Sequence, residues 1–204
     1  MMEFRPPVTL RGRWVDAVPL DRSHIPGLAE AGRDPEVWRL LRIGPGRTVE
    51  EMTALVDQFL SLQERGELLP LTARWRSSSR PIGIIRYLDI DRPNHAVELG
   101  TWIGRPWWRT PANTELKLLT LRHAFEVEGA HRVQLKTDAR NERSARAIER
   151  LGAVREGALR DHTRLPDGTL RTSIYFSILR AEWPSVEARL EQAVARPWDG
   201  PALD

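Results

Sequence analysis

The segment from Leu69 to Ile103 constrains the fold more than any other part of the sequence. It contains three runs of strand-forming residues, at 69–75, 82–88 and 95–103. The residues between them, 77–79 and 91–94, are rich in Ser, Asp, Pro and Asn, which favour turns. Turns this short join antiparallel neighbours, because a parallel pair needs a crossover of a dozen or more residues. The segment is therefore predicted to be an antiparallel meander.

Helical patterns lie on both sides of this meander. Caps and helical spacing predict helices at about 21–32, 34–41, 48–66, 114–128, 142–151 and 181–195. Further strands are predicted at 8–18, 131–137, 154–164 and 171–179. Strands and helices interleave without a break in composition, so we predict one α+β domain over 1–204. Its core would span about 8–183, with the helix 181–195 and a loose tail at 197–204 after it.

Composition narrows the class of protein. The chain has 204 residues, of which 41% are hydrophobic and 29% charged, which is enough for a core and excludes a wholly disordered chain. The absence of cysteine excludes disulfides, thiolate metal sites and a cysteine nucleophile. The five histidines lack ligand spacing, so no metal site is predicted. No apolar run approaches the ~20 residues of a membrane span and no signal peptide is evident, which predicts a cytoplasmic protein without a membrane partner.

The charge pattern argues against a nucleic-acid partner. The 31 basic residues nearly balance the 28 acidic ones, for a net charge of +3. Lysine occurs only at Lys117 and Lys136, so the high pI of 9.9 reflects arginine more than excess charge. The arginines are scattered among acids, a pattern typical of a salt-bridged surface.

Two successive strand–loop–helix units have the form of an anion site. In the first, a strand ends at Gly104 and a loop with Arg105 and Arg109 leads into a helix. Free N–H groups and the dipole make a helix N-terminus favourable for phosphate, and arginine adds charge-assisted hydrogen bonds. The second unit, 137–153, places Asn141 and Ser144 at the start of another helix. Together the two units could hold an extended, phosphate-bearing ligand.

These residues carry a resemblance to a known family. The meander ends in VELGTWIG, and the following segment contains N-x-x-S-x-x-x-x-x-x-x-G, formed by Asn141, Ser144 and Gly152, and then REG at 155–157. Over roughly Val8 to Trp183 the chain resembles the GCN5-related N-acetyltransferases, within them the branch of ribosomal-protein N-terminal acetyltransferases. The resemblance implies a mixed, mostly antiparallel sheet with splayed fourth and fifth strands and flanking helices. The two strands would be 96–103 and 132–137.

The resemblance also implies acetyl-CoA as co-substrate and an amine as acceptor. By the family pattern, backbone groups of Trp102, Ile103 and Gly104 would hold the acetyl and pantetheine amides. The pyrophosphate would face Arg109, Thr110, Ala112, Asn113 and Thr114. Asn141 would bond the pantetheine, and Ser144 would approach the sulfur.

The pyrophosphate motif departs from the family pattern. Trp108, Pro111 and Asn113 stand where Gln or Arg, Gly, and Gly or Ala are usual. Pro111 has no N–H to donate to a phosphate. The cradle must then depend on Arg109, Thr110 and the N–H groups from Ala112 onward.

Two residues are candidates for acid–base chemistry. Glu98 borders the splayed gap and is the candidate base, although it could equally be a strand residue paired with a nearby arginine. Ser144 is the candidate acid for the leaving thiolate, by resemblance to relatives with serine there; otherwise it bonds only local backbone. Asp161 and His162 are fallback bases, because some relatives have a carboxylate near this position.

The sequence leaves the acceptor and the assembly open. The leading hypothesis is acetylation of a protein or peptide α-amine. A small amine, polyamine or antibiotic is the alternative acceptor, and a non-catalytic acyl-CoA-binding module is the alternative class, favoured by Pro111. The apolar spacing of Val186, Leu190 and Val194 in the last helix suggests a homodimer, unless that face packs on its own domain.

Overall fold

The computed structural model describes residues 2–200 and 203. Within them eight strands form one sheet, namely β1 Leu10–Arg11, β2 Val15–Pro19, β3 Leu69–Trp75, β4 Arg80–Asp91, β5 Ala96–Ile103, β6 Arg132–Asp138, β7 Val154–Arg164 and β8 Leu170–Leu179. The α-helices in the same residues are α1 Ile25–Ala31, α2 Val49–Glu64, α3 Ala112–Arg122, α4 Glu142–Leu151 and α5 Trp183–Ala195. The strand order is β1-β2-β3-β4-β5-β6-β8-β7. This mixed, mostly antiparallel sheet with flanking helices confirms the predicted α+β class.

The meander forms as predicted and its centre is fully buried. β3, β4 and β5 pair antiparallel with their chain neighbours, for example Thr72 with Ile84 and Ile84 with Trp102. Ile84 and Ile85 have no exposed surface because helices cover both faces of β4. The meander is therefore the rigid support for whatever β5 carries.

The sheet opens between β5 and β6. These strands are parallel and pair at only three positions, Ala96 with Arg132, Val97 with Val133 and Glu98 with Gln134. Beyond Glu98 the two strands separate, although β5 continues to Ile103 and β6 to Asp138. The predicted splay is confirmed. The splayed strands are the fifth and sixth in chain order rather than the fourth and fifth, because the short β1 adds a strand at the N-terminus.

Local capping explains where two helices begin and end. The Thr48 side chain accepts from the N–H of Glu51 at 3.2 Å, which satisfies a free donor at the start of α2. Asn141 does the same for α4, accepting from the N–H of Ser144 at 3.1 Å. Gly152 follows α4 with a φ of +102°, a left-handed conformation that glycine adopts without strain.

Two helix predictions need correction. The predicted helix at 34–41 is a single 3₁₀ turn, Pro35–Val37. Beyond it the carbonyl of Leu40 accepts from Arg171 at 3.4 Å instead of from a helical N–H. The predicted helix at 114–128 starts earlier, at Ala112, and its last turn, His123–Val127, widens into a π-helix.

The C-terminal segment packs on its own domain. Val186, Leu190 and Val194 are buried, and α5 packs against α3. The prediction that this stripe mediates self-association is therefore wrong, because the domain already covers it. The tail is not loose throughout either: the Trp198 ring lies 6.1 Å from that of Trp14 and 5.6 Å from that of Trp75. Positions 201, 202 and 204 of the predicted tail lie outside the described residues.

A buried carboxylate fixes α3 to the N-terminal strands. Glu115 accepts from the N–H groups of Arg13 at 2.6 Å, Trp14 at 2.6 Å and Val15 at 2.8 Å. Hydrogen bonds to a charged acceptor are stronger than neutral ones, so this contact positions the start of α3 against β2. None of the helices in the described residues is long and apolar enough to cross a membrane.

Candidate active site

A cleft of about 1210 Å³ occupies the place where β5 and β6 separate. It brings together most of the residues predicted from the sequence. Those that line it are Glu98, Trp102, Ile103, Arg109, Thr110, Asn113, Thr114, Asn141 and Ser144. Gly104 and Ala112 do not line it. The cleft reaches through the gap in the sheet, so α3 contributes to one side and the 36–43 segment to the other.

The main-chain groups of Trp102 and Gly104 face β4 rather than the cleft. Gly104 donates its N–H to the Ile82 carbonyl at 2.8 Å, and a Cβ on Gly83 would collide with the Trp102 carbonyl. Successive residues of a strand alternate the side to which their N–H and C=O point, so these two were wrongly predicted as backbone ligands. The same alternation directs the main chain of Thr101 and Ile103 to the gap.

The Ile103 carbonyl already has a donor. Trp108 bonds it through its indole Nε1 at 2.7 Å. This carbonyl therefore has only its second lone pair available to accept a hydrogen bond from a ligand in the gap. Thr101 was missed by sequence reasoning, although alternation along β5 could have identified it.

The start of α3 keeps two free donors. Ala112 is buried and its N–H is donated to the Thr110 hydroxyl at 3.2 Å, so its predicted role at the pyrophosphate is not supported. Within the described residues, no oxygen accepts from the N–H of Asn113 or Thr114. These two groups remain as the anion-binding end of the helix, in agreement with the departure at Pro111.

Two arginines stand beside this helix start without a carboxylate partner in the described residues. Arg109 has a φ of +63°, a conformation that costs a non-glycine residue about 1 kcal/mol. Arg143 stacks on Trp108, with its guanidinium carbon 3.2 Å from the ring centroid. Desolvation lowers the pKa of Arg143, and the charge of Arg109 lowers it further. Sequence reasoning missed Arg143, although its place inside the Asn141–Ser144 motif was a signal.

Asn141 and Ser144 lie on the other wall of the cleft, at the start of α4. The Asn141 side-chain oxygen is used by the helix cap, and its NH₂ group has no hydrogen-bond partner in the described residues, although the residue lines the cleft. Ser144 is half-buried and also lines the cleft. The predicted pair of residues therefore stands opposite β5 with donor groups available.

Glu98 lies where the gap begins and is 3% exposed. Its Oε2 is 2.5 Å from Lys136 Nζ and accepts from Gln134 Nε2 at 3.2 Å. Its Oε1 has no hydrogen-bond partner among the described residues, and the residue lines the cleft. Burial raises the pKa of Glu98 above its ordinary value, and Lys136 partly offsets this. One carboxylate oxygen of Glu98 is thus engaged in an ion pair, with Lys136 rather than the expected arginine, and the other oxygen is a free acceptor.

Further cations surround the inner end of the cleft. Lys117 on α3 is 5% exposed and bonds the Thr101 hydroxyl. Burial lowers its pKa to about 7, with Arg86 contributing in the same direction. Burial also lowers the pKa of Arg86, to about 10. Sequence reasoning missed both cations, since nothing in their local pattern distinguishes them from surface charges.

The fallback bases do not line the cleft. His162 uses both ring nitrogens, with Ser173 Oγ at 3.0 Å and Tyr175 OH at 3.3 Å. Asp161 is exposed on β7, the edge strand, where its φ of +47° marks an irregularity. In the described part of the chain, no group of three His, Asp or Glu side chains is arranged to hold a metal ion.

The fold and the cleft define a class of protein. A mixed sheet that opens between two parallel strands, with helix N-termini and arginines at the gap, matches the acetyltransferase (GNAT) domain family, whose model covers residues 17–154. The chain therefore belongs to the GNAT acetyltransferase family and is a transferase.

Three individual proteins show which members of the family this chain is similar to. A candidate acetyltransferase from T. thermophilus is 42% identical, with a TM-score of 0.85 over 92% of this chain and 97% of that one. The [ribosomal protein uS5]-alanine N-acetyltransferase of Escherichia coli K12 is 27% identical over 103 residues, which are 50% of this chain and 53% of that protein. Mycobacterium smegmatis RimJ in complex with CoA-disulfide shares the fold at 17% identity, with a TM-score of 0.79 over 92% and 95% of the chains.

Proposed function

We propose that the protein transfers an acetyl group from acetyl-CoA to a primary amine, namely the α-amine of a protein or peptide. The observation that carries the proposal is the gap between β5 and β6, which is lined by Glu98 on one wall and by Asn141 and Ser144 on the other. The match to a uS5-alanine N-acetyltransferase supports the choice of a protein amine.

The residues at the gap fit the donor. Arg109, Arg143 and the N–H groups of Asn113 and Thr114 would hold the pyrophosphate. Arg109 and the two N–H groups lie at the start of α3, Arg143 reaches this place from α4 by stacking on Trp108, and none of the four has a carboxylate or carbonyl partner in the described residues. The NH₂ group of Asn141 and the main chain of Thr101 would hold the pantetheine arm. The donor supplies an activated acyl group, and the side chains and main-chain groups of this protein bind and position it.

The reaction requires a free amine and a protonated leaving thiol. The amine nitrogen forms a bond to the carbonyl carbon while the carbon–sulfur bond breaks, and the ammonium proton goes to a base. Oε1 of Glu98 would accept this proton, directly or through water. The Ser144 hydroxyl would pass a proton to the thiolate and regain one, through water, from the protonated Glu98. Holding both reactants in line in one cleft would contribute much of the rate.

The direct test is release of free thiol from acetyl-CoA, with and without peptide acceptors. Thiol release that depends on the acceptor, with acetylated peptide seen by mass spectrometry, is the expected result. Binding of acetyl-CoA without turnover on any amine would favour the non-catalytic module instead. Transfer only to polyamines or antibiotics would retain the donor and replace the acceptor.

A further inference from the structure

Three arginines that line the cleft have no ion-pair partner among the described residues. Arg42 follows the 3₁₀ turn at 35–37, Arg86 lies on β4 and Arg171 on β8, and all three line the cleft. No carboxylate oxygen of the described residues lies within 4.0 Å of their guanidinium groups. Guanidinium groups away from bulk water normally have such a partner, because leaving a charge unpaired is costly.

The neighbouring acids are already engaged elsewhere. Glu98 is paired with Lys136 at 2.5 Å, and Glu36 with Arg39 at 3.2 Å. Asp138 is paired with Arg140 at 2.8 Å. The cleft therefore keeps excess positive charge after its own ion pairs are accounted for.

The three arginines are partly preorganised. Arg171 is 4% exposed, and its Nε donates to Ser173 Oγ at 3.0 Å while Nη1 donates to the Leu40 carbonyl at 3.4 Å. Arg86 has a buried Nε without a hydrogen-bond partner in the described residues. Arg42 is exposed at the mouth. Donors are thus held by two strands and one loop around a shared space.

These charges form a set distinct from the one at the start of α3. Burial is the largest cause of the lowered pKa of Arg86 and Arg171, and the charge of Arg42 lowers both further. The pKa of Arg143, in contrast, responds to Arg109. The set of Arg42, Arg86 and Arg171 lies near Glu98, whose charge raises the pKa of both Arg86 and Arg171.

We propose that Arg42, Arg86 and Arg171 form an anion subsite that receives a carboxylate carried by the acceptor amine. This inference rests on the proposed function, since it assigns the chemical class of the acceptor. An amine that bears a carboxylate would place its nitrogen at Glu98 and its carboxylate on the arginine set. Arginine suits this role because its planar donors match a carboxylate in two-point contact. The carboxylate can belong to a small amino acid or to an acidic side chain next to a peptide N-terminus.

The test compares acceptors that differ in this charge, with rates expressed per concentration of deprotonated amine, because the carboxylate of L-alanine also makes its amine more basic. The small-molecule arm uses L-alanine against L-alaninamide, and the peptide arm uses Ala-Glu-Glu-Ala-amide against Ala-Gln-Gln-Ala-amide. We expect kcat/KM, measured by thiol release, to be at least about tenfold higher for the anionic member of one arm, the scale of one charge-assisted hydrogen bond. The arm that discriminates identifies the source of the carboxylate. Equal rates within both pairs would overturn the proposal while leaving acetyl transfer intact.

Variants then assign the preference to the arginine set. Arg42→Gln should lower the anionic-to-neutral ratio about three- to tenfold. Arg47→Gln is the matched control, because Arg47 lies on the same loop, is paired with Glu51 at 3.5 Å and does not line the cleft. A ratio unchanged by Arg42→Gln and by Arg86→Gln, in folded protein, would remove these residues from the acceptor site.

A binding measurement separates this inference from the proposed function. Calorimetry with the acetylated products of the same four acceptors requires no turnover. Tighter binding of the anionic products, reduced in Arg42→Gln, supports the subsite even if no transfer occurs. Indistinguishable affinities for the anionic and neutral products overturn it.

Discussion

At the scale of single residues, Glu98 divides its carboxylate between two tasks. Oε2 serves the contacts with Lys136 and Gln134 that close the three-residue junction of β5 and β6. Oε1 is left for the cleft. A substitution that keeps the shape of the side chain can therefore separate proton transfer from structure.

Glu98→Gln should lower turnover roughly ten- to ten-thousand-fold, the usual range for a general base, with little change in affinity for acetyl-CoA. The raised pKa of Glu98 gives the wild type an acidic limb in its pH–rate profile that reports this carboxyl. The variant should lack this limb and need higher pH, where more amine is free. Thiol release against pH measures both effects. Near wild-type turnover at all pH values would leave Glu98 a structural residue, with water as the proton acceptor.

Arg109→Ala and Arg143→Ala should each weaken CoA binding by about 1–3 kcal/mol, the scale of one charge-assisted hydrogen bond. Arg146→Ala is the control on the same helix as Arg143, because Arg146 is exposed and paired with Glu142 at 2.6 Å. Calorimetry with CoA is the measurement. Unchanged affinity in a folded Arg109→Ala variant would remove that residue from the pyrophosphate site.

Lys117 should make stability depend on pH. Its folded pKa of about 7 lies below the ordinary value of 10.5, so between these values the unfolded chain binds the extra proton. The free energy of unfolding should then rise with pH in this window and fall as pH drops toward 7. From pH 7.5 to 9, Lys117 should raise the free energy of unfolding by about 1–2 kcal/mol. Urea unfolding of Lys117→Met should show a smaller rise than the wild type; equal rises in both proteins would contradict the assignment.

At the scale of elements, Asn141 caps the start of α4, and its side-chain oxygen and its NH₂ group can be tested separately. Asn141→Asp retains the oxygen that caps Ser144 but loses the NH₂ donor of this cleft-lining residue. We expect unchanged thermal stability and weaker CoA binding. Asn141→Ala should lose both, with about 1 kcal/mol from the missing cap. If Asn141→Asp binds CoA as the wild type does, Asn141 acts as a cap alone.

The strands and most helices followed from local patterns. β3 matches its predicted bounds, and so do α4 and its stop at Gly152, because hydrophobic alternation, caps and glycine stops act within a few residues. The helix predicted at 34–41 does not extend beyond one turn: the N–H of Leu41 bonds the Trp38 carbonyl three residues back, and the Trp38 ring packs against that of the distant Trp102. Where long-range contacts outweigh local propensity, the sequence of the segment does not reveal which distant residues determine its conformation.

The candidate site was predictable to a similar extent. The motif placed Arg109, Asn141 and Ser144 at the cleft, since helix starts and strand ends are local features. The ion pair of Glu98 with Lys136 depends on the pairing of β5 with β6, and the effect of Arg86 on Lys117 depends on a gap through the sheet. Neither follows from spacing along the chain. The buried stripe of α5 likewise looked like an interface until its partner, α3, was known.

At the scale of the whole molecule, the sheet consists of two parts joined weakly. β1 to β5 form one part and β6 to β8 the other, and only three residue pairs connect them within the sheet. Beyond Glu98, each gap strand has a strand neighbour on one side only. Backbone groups with fewer partners open more readily.

Hydrogen exchange should therefore be faster in 99–103 than in 82–87, although both belong to central strands. CoA should slow exchange in 99–103 and in 135–138 together, because it would fill the gap that both segments border. Mass spectrometry of exchanged peptides, with and without CoA, is the measurement. Uniform exchange across β4 and β5, or protection on one side of the gap only, would contradict this description.

The strand order also has a consequence for how the chain is made. β8, the last strand synthesised, lies between β6 and β7, and β7 pairs with β8 alone. As the chain leaves the ribosome, each of β2 to β5 can pair with the strand that precedes it in the chain, without waiting for a later strand. β6 and β7 wait for β8, which is complete only at Leu179. One wall of the cleft thus gains its outer neighbour only after Leu179 has been synthesised, so a nascent chain that ends before this residue carries half of an acetyltransferase site.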